Sequence, residues 1–162
     1  MGRRRGLWQD EHGFSLAEVM ITIVIMGIVF AIASSTWFGV VEGRRVDSAT
    51  NEVAADLRRA HTNATNRLED WRVEIDADTR DYRIYRIDPD TGTATLSSSN
   101  LLPEHTEFPP AMGVSAIVFE PDGKAQITGA GNVRIAADDG SPCHEIEVNP
   151  VTSRVEVSID AC

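Results

Sequence analysis

Residues 14–41 read FSLAEVMITIVIMGIVFAIASSTWFGVV, and this stretch decides the fold of the chain. From Val19 to Val41 there are 23 residues without one charged side chain. A helix that spans a bilayer needs about 20 apolar residues, and this run would extend about 35 Å as a helix. A helix that is apolar on every side is either buried or in lipid. The sequence therefore predicts a transmembrane helix over residues 14–41.

The residues that follow continue the helix but change its character. Apolar residues now recur at spacings of three and four, which places them in one stripe on a helix of 3.6 residues per turn. The stripe consists of Val46, Ala49, Val53, Leu57, Ala60, Ala64, Leu68 and Trp71. We therefore expect one helix over about 14–68, apolar all round in its transmembrane half and amphipathic in its second half. Gly43 is its weakest point, at about 1 kcal/mol relative to alanine.

After Trp71 the sequence changes to a period of two, which is typical of half-buried strands. The segment from Trp71 to Ile75 alternates apolar and charged residues. Strands are expected at 71–75, 82–87, 93–97, 114–120, 124–128, 132–136, 143–149 and 154–160. Residues 98–113 contain three prolines and are expected to form a loop. This order of elements predicts an α+β fold, in which the long N-terminal helix packs on an antiparallel β-sheet body built as a meander.

Composition excludes several classes of protein. The 162 residues carry a net charge of −10, whereas proteins that coat nucleic acid need clustered lysine and arginine. Two cysteines are too few for a disulfide-dense scaffold or a multi-cysteine zinc site. The four histidines lack metal-ligand spacing, and aspartates such as Asp76 and Asp88 are ordinary turn residues. With no nucleophile or phosphate-binding motif either, we expect no enzyme, no metal and no cofactor.

A specific motif, Gly13-Phe-Ser-Leu-Ala-Glu18, stands at the start of the apolar run. Its glycine ends a short leader, residues 1–13, that contains three consecutive arginines. The combination resembles the processing signal of type IV pilins and of the pilin-like subunits of bacterial type II secretion machines. The resemblance implies that a prepilin peptidase cuts after Gly13 and then methylates the new N-terminus, Phe14. Ser15 and Leu16 belong to the same processing and assembly motif.

The residue types in the motif suit this chemistry. Gly13 has no side chain, so an extended backbone can enter a narrow protease cleft. Glu18 lies in an apolar segment, where an unpaired acid costs about 2.5–3.5 kcal/mol. The resemblance implies that Glu18 pairs with the Phe14 amine of a neighbouring subunit. A local alternative is a capping box, in which Ser15 and Glu18 satisfy the first backbone donors of the helix.

Later segments of the sequence indicate which members of this family the chain resembles. Residues 56–64, DLRRAHTNA, look like the helix of H-type minor pseudopilins and T-type fimbrial minor pilins. Residues 118–124 and the closing segment 146–155 look like their strand-turn patterns. Ser153 stands where the closing hairpin of this family often has glycine, and Ser35 stands where major pilins have a proline. The resemblance implies a pilin-like fold and a minor subunit of a type II secretion pseudopilus or type IV pilus.

The same resemblance implies a location and partners. The chain would sit in the bacterial inner membrane with residues 42–162 outside the cytoplasm, and later in a pilus or pseudopilus. Its partners would be the prepilin peptidase, other pilins or pseudopilins, the inner-membrane assembly platform and, before assembly, membrane lipid.

The two cysteines both fall in the part expected outside the cytoplasm, where disulfides persist. If the last two strands pair so that Ile146 faces Ile159, Cys143 falls directly opposite Cys162. A bond between them would close a 20-residue segment and stabilise the fold by about 3 kcal/mol in the chain-entropy model. We therefore expect a Cys143–Cys162 disulfide.

Two alternatives remain open. Ala31-Ile-Ala33 matches the pattern cut by a conventional signal peptidase, which would release a secreted binding module or enzyme beginning at Ser34. A DNA-uptake minor pilin would need a basic surface. The main concentration of basic residues comprises Arg44, Arg45, Arg58, Arg59, Arg67 and Arg72. These arginines alternate with acids at helical spacing, so we expect ion pairs within the helix or between subunits instead of nucleic-acid binding.

Overall fold

A computed structural model describes residues 15–109 and 112–159, apart from the side chains of 35–40 and 42. Helix α1 covers Leu16–Arg67, close to the expected 14–68. The nine strands within the described residues are β1 Asp70–Asp76, β2 Asp81–Ile87, β3 Ala94–Leu101, β4 Thr106–Glu107, β5 Ala116–Phe119, β6 Ala125–Thr128, β7 Val133–Ala137, β8 Cys143–Val148 and β9 Val155–Ile159. The chain divides into two compact units, Met1–Gly39 and Val40–Cys162, and each is described by itself.

The strands of the second unit form two antiparallel sheets, so the expected single meander is wrong. One sheet has the order β3-β2-β1-β5-β6, and the other has the order β4-β7-β8-β9. After β3 the chain leaves the first sheet and forms the short strand β4 against β7. It then returns, and β5 pairs with the free side of β1. Alternating residues mark most of the strands in the sequence, but they carry no information about which strands lie side by side.

Residues 98–113, expected to be a loop, contain the end of β3 and all of β4. Ser98, Ser99 and Asn100 pair with β2 as the outer strand of the first sheet. Their side chains are small and polar, so the apolar alternation that identified the other strands is missing here. The backbone supplies the hydrogen bonds of an edge strand whatever the side chains are.

The core of the second unit lies along the apolar stripe of α1. The stripe residues from Val46 to Ala64 are at most 1% exposed, and Trp71 is buried in β1. Leu68 is the exception at 70% exposed. It follows the last helical residue with a φ of 58°, so its side chain leaves the stripe. Thr50 extends the buried surface, and its hydroxyl donates to the Val46 carbonyl over 2.7 Å.

Polar side chains fasten the helix to both sheets. The Oδ2 atom of Asp56 accepts hydrogen bonds from the Tyr82 hydroxyl and the Asn100 amide, each over 2.8 Å. The Arg58 guanidinium donates to the Val155 carbonyl over 3.1 Å. Together these contacts fix the rotation of α1 about its axis against β2, β3 and β9.

Replacing Tyr82 with phenylalanine is expected to lower the free energy of unfolding by about 1 kcal/mol, because one hydrogen bond is lost while Asp56 keeps Asn100. Burial and the bond to Asp56 raise the pKa of Tyr82 above its ordinary value of 10.0. The unfolded state therefore loses the phenolic proton first, and native stability falls as the pH rises above about 10. Urea unfolding of the detergent-solubilised chain at pH 8 and pH 10.5 measures this fall. An unchanged pH dependence in the phenylalanine variant would contradict the assignment.

The last two strands pair two residues away from the expected register. Ile146 faces Val157 instead of Ile159, and Val148 faces Val155. The turn is centred one residue earlier than expected: the Asn149 N–H donates to the Arg154 carbonyl over 2.9 Å, and the Asn149 side chain accepts hydrogen bonds from the backbone N–H groups of Val151 and Thr152 within the turn. A shift of two leaves every side chain on its original face, so the apolar pattern cannot distinguish the two registers.

The register bears on two residues that the sequence singled out. The expected opposition of Cys143 to Cys162 rests on the register in which Ile146 faces Ile159, and the described part of the ladder does not have that register. Cys162 lies outside the described residues, and the disulfide remains a prediction. Ser153 has a φ of 52°, a conformation that favours glycine. Its hydroxyl donates to the Gly123 carbonyl over 2.9 Å, which offsets the departure from the usual glycine.

Candidate processing and assembly site

The first turn of α1 begins at the predicted motif. Ser15 is the N-cap residue: its Oγ accepts a hydrogen bond from the Ala17 N–H over 3.2 Å, and its carbonyl accepts from the Glu18 N–H over 3.0 Å. Ser15 therefore caps the helix as expected, but its side chain bonds the N–H of Ala17 and not that of Glu18, which a capping box would use. Within the described residues the Glu18 carboxylate makes no return bond to the Ser15 N–H. Its oxygens are exposed and available to a group outside this chain.

Two motif residues, Gly13 and Phe14, lie outside the described residues. The cleavage and methylation assigned to them stay predictions. Leu16 opens the helix and is 79% exposed, although it is a large apolar residue. The motif thus leads directly into an uncovered apolar surface.

That surface continues along the whole first part of the helix. Leu16–Ser34 is long and apolar enough to cross a membrane, with a mean hydropathy of 2.6 and none of it buried. Thr22 donates its hydroxyl to the Val19 carbonyl over 2.8 Å, and Ser34 donates to the Ala31 carbonyl over 3.0 Å. Both hydroxyls are satisfied within the helix, as a medium without water requires. Glu18 is then the one ionisable side chain between residues 16 and 34.

The aspartates Asp76 and Asp88 each accept hydrogen bonds within their own turn, as is usual for turn residues. Asp76 accepts hydrogen bonds from the Asp78 and Thr79 N–H groups, and Asp88 accepts from the Asp90 and Thr91 N–H groups. The pKa of the Asp76 carboxyl is lowered by hydrogen bonding from the Thr79 side chain and then from its backbone, and the pKa of Asp88 is lowered by the backbone bonds from Thr91 and Asp90. Among the described residues, no three His, Cys, Asp or Glu side chains are grouped to hold a metal ion.

The expected ion pairs of the arginines are largely missing within the described part of the chain. Among the side chains that the structure describes, Arg72 is the one arginine of the six that contacts an acid, Glu74, at 2.9 Å. Arg58 instead reaches a backbone carbonyl, and the Arg67 guanidinium lies 5.8 Å from the centre of the Trp71 ring. Pairing between subunits is not tested by a single chain.

Together, an exposed apolar helix and a sheet body packed on the continuation of the same helix define a pilin-like α+β protein. The family model for the type II transport protein GspH matches residues 49–152, and the prokaryotic N-terminal methylation motif matches residues 8–34. The first match covers more than half of the chain. The chain therefore belongs to the GspH family.

Solved structures show the same fold. The minor pseudopilin EpsH from the type 2 secretion system of Vibrio cholerae matches with a TM-score of 0.57 and 12% identity, over 72% of this chain and 98% of EpsH. The type IV minor pilin FimU of Pseudomonas aeruginosa matches with a TM-score of 0.54 and 12% identity, over 72% of this chain and 94% of FimU. No curated protein sequence matches this chain.

These comparisons confirm the resemblance to minor pseudopilins and minor pilins and the pilin-like α+β fold. The family is one of structural subunits and not an enzyme family. The methylation motif supports processing by a prepilin peptidase and assembly with other pilins. The apolar helix and the fold support a single membrane anchor that carries a globular body.

Proposed function

We propose that this chain is a minor subunit of a type II secretion pseudopilus or type IV pilus, without a catalytic activity of its own. One observation carries the proposal. A fully exposed apolar helix with a single acid, Glu18, near its start leads into a body of the GspH family. Such a surface needs lipid or other apolar helices around it, and a subunit that moves from membrane to filament meets both in turn.

The proposal assigns a role to each part of the chain. Residues 1–13 are a leader that the prepilin peptidase removes, and residues 14–41 form the membrane anchor and then the filament core. Residues 42–162 form the body outside the cytoplasm, with its amphipathic helix to about 70 and its strands after that. The anchor lies in the inner membrane until the assembly platform transfers it to a filament of other pilins or pseudopilins.

Helix packing in such a core is favoured by Gly27. A Cβ atom added there would meet no atom within 4 Å, so the position is open to a neighbouring helix. Small residues on a transmembrane helix let two backbones approach closely. Cys143 and Cys162 would add a disulfide that fastens the C-terminal end of the body.

Processing is the direct test of this function. In a host with a prepilin peptidase, mass spectrometry of the mature protein is expected to show an N-terminus at methylated Phe14. Gly13→Val should leave at least nine-tenths of the protein uncut, because a branched side chain blocks the cleft. Gly27→Val is the matched control, since space is open there, and it should be cut normally.

Two outcomes would overturn the proposal. A mature N-terminus at Ser34 would show conventional signal-peptide cleavage and a secreted protein. Normal cutting of the Gly13→Val variant would show that a prepilin peptidase does not process the chain after Gly13.

A further inference from the structure

A polar cleft of about 300 Å³ lies between α1 and the first sheet. Arg59, Asn63 and Arg67 line it from the helix, at successive spacings of four residues. Trp71 in β1 and two consecutive serines of β3, Ser97 and Ser98, line it from the sheet. Because β3 is the outer strand, the cleft reaches the edge of the sheet.

A β-bulge places the two serines together. Ile84 pairs with Ser98 and Tyr85 pairs with Leu96, so Ser97 is an extra residue in β3. A regular strand would turn successive side chains to opposite faces, whereas both serines line this cleft. Bulges re-aim side chains in this way, and they are common at binding sites.

The cleft holds cations and hydrogen-bond donors that have no acceptor among the described residues. Among the described residues, neither Arg59 nor Arg67 has a carboxylate oxygen within 4 Å, although the protein as a whole is acidic, with a net charge of −10. Trp71 is 5% exposed, and its buried indole N–H has no hydrogen-bond partner. The one acid on the wall, Asp56, already accepts from Tyr82 and Asn100. The two guanidinium groups of the cleft can therefore accommodate a hydrogen-bond acceptor from another molecule.

The spacing of the donors defines the shape of that acceptor. Arg59 and Arg67 are eight positions apart on the helix, which is about 12 Å along its axis. In an extended peptide, residues four positions apart lie on the same side and about 13 Å apart. Two acids at that spacing would each meet one guanidinium, and the Asn63 amide lies between them to bond the peptide backbone.

We propose that this cleft binds an extended acidic peptide segment with two carboxylates four residues apart, contributed by another subunit of the filament. The identity of the source rests on the proposed function, whereas the binding chemistry stands on the cleft alone. A peptide fits better than nucleic acid, because two guanidiniums beside the Asp56 carboxylate make too short a basic surface to follow a phosphate backbone.

The test uses the full chain in detergent micelles and a fluorescent, end-blocked peptide of sequence Ser-Glu-Thr-Val-Thr-Glu-Ser. Fluorescence anisotropy is expected to show saturable binding. Arg59→Gln and Arg67→Gln should each raise the Kd about fivefold to tenfold, as expected for loss of a charge-assisted hydrogen bond. Arg154→Gln is the matched control, since this arginine is exposed, pairs with Glu156 and lies outside the cleft, and it should leave the Kd unchanged.

Two further probes make the result specific. A glutamine version of the peptide and a version with adjacent glutamates should bind at least fivefold more weakly. Absence of binding by the original peptide would overturn the proposal, as would an equal loss in the Arg154 variant. Tighter binding of a 12-nucleotide single-stranded DNA, lost in the same two cleft variants, would replace it with a nucleic-acid site. None of these results depends on processing at Gly13, so they are separate from the test of the filament role.

Discussion

Replacing Glu18 with leucine is expected to lower incorporation into filaments at least 100-fold, while cleavage after Gly13 continues. In the proposed filament, Glu18 neutralises the Phe14 amine of the next subunit inside an apolar core. Removing one member of a buried ion pair costs about 3–5 kcal/mol, because the other charge stays buried and unpaired. The exposed, uncommitted carboxylate of Glu18 in the single chain is what this pairing requires. Immunoblots of sheared filaments, normalised to the membrane fraction, measure the effect.

Two variants separate charge pairing from apolar packing. Val24→Leu changes an exposed apolar residue of the same helix and should assemble normally. Glu18→Gln keeps the size of the side chain but removes its charge, and it should fail as leucine does. If both Glu18 variants assembled at the normal level, Glu18 would serve only the start of the helix.

Replacing Phe119 with alanine is expected to lower the free energy of unfolding by about 3–5 kcal/mol. Phe119 is fully buried in β5, faces Trp71 across the β1–β5 ladder, and lies 6.0 Å from the His61 ring on α1. It therefore joins the first sheet to the helix, and its removal leaves a cavity at that junction. Because domains are stable by about 5–15 kcal/mol, the loss would bring the body close to unfolding.

Urea unfolding of the detergent-solubilised chain, followed by near-ultraviolet circular dichroism, measures this loss. Leu96→Ala provides a matched control, since Leu96 is 53% exposed on the outer strand and its loss should change stability by less than about 0.5 kcal/mol. Similar destabilisation by the two variants would contradict the assignment of Phe119 to the centre of the core.

The elements that the sequence predicted well are those marked by local periodicity. The stripe from Val46 to Ala64 fixed both the helix and its buried side, because every third or fourth residue repeats the same signal. Most strand positions followed from alternation in the same way, but the second half of β3 and all of β4 did not. The partner of β1 and the β8–β9 register did not, because each depends on a turn or a crossover whose geometry leaves the face pattern unchanged.

The two candidate sites differ in the same respect. The motif around Ser15 and Glu18 is contiguous, so chain order alone makes it visible. The cleft needs a helix, three strands and an extra residue at Ser97, which come together only after the sheet forms. The sequence places Arg59 and Arg67 among acids at helical spacing and so predicts ion pairs for them, whereas the cleft that they line exists only once the sheet packs on the helix.

The internally bonded hydroxyls of Thr22 and Ser34 have a consequence for transport between two environments. Neither hydroxyl has to change its hydrogen-bond partner when the helix moves from lipid acyl chains into a filament of similar helices. Between residues 16 and 34, Glu18 is the one side chain that has to change its polar partner, so the free-energy change on entering the filament comes from its ion pair and from helix packing. We expect such a subunit to be drawn out of the bilayer and returned to it without being degraded, as a machine that extends and collapses repeatedly would need.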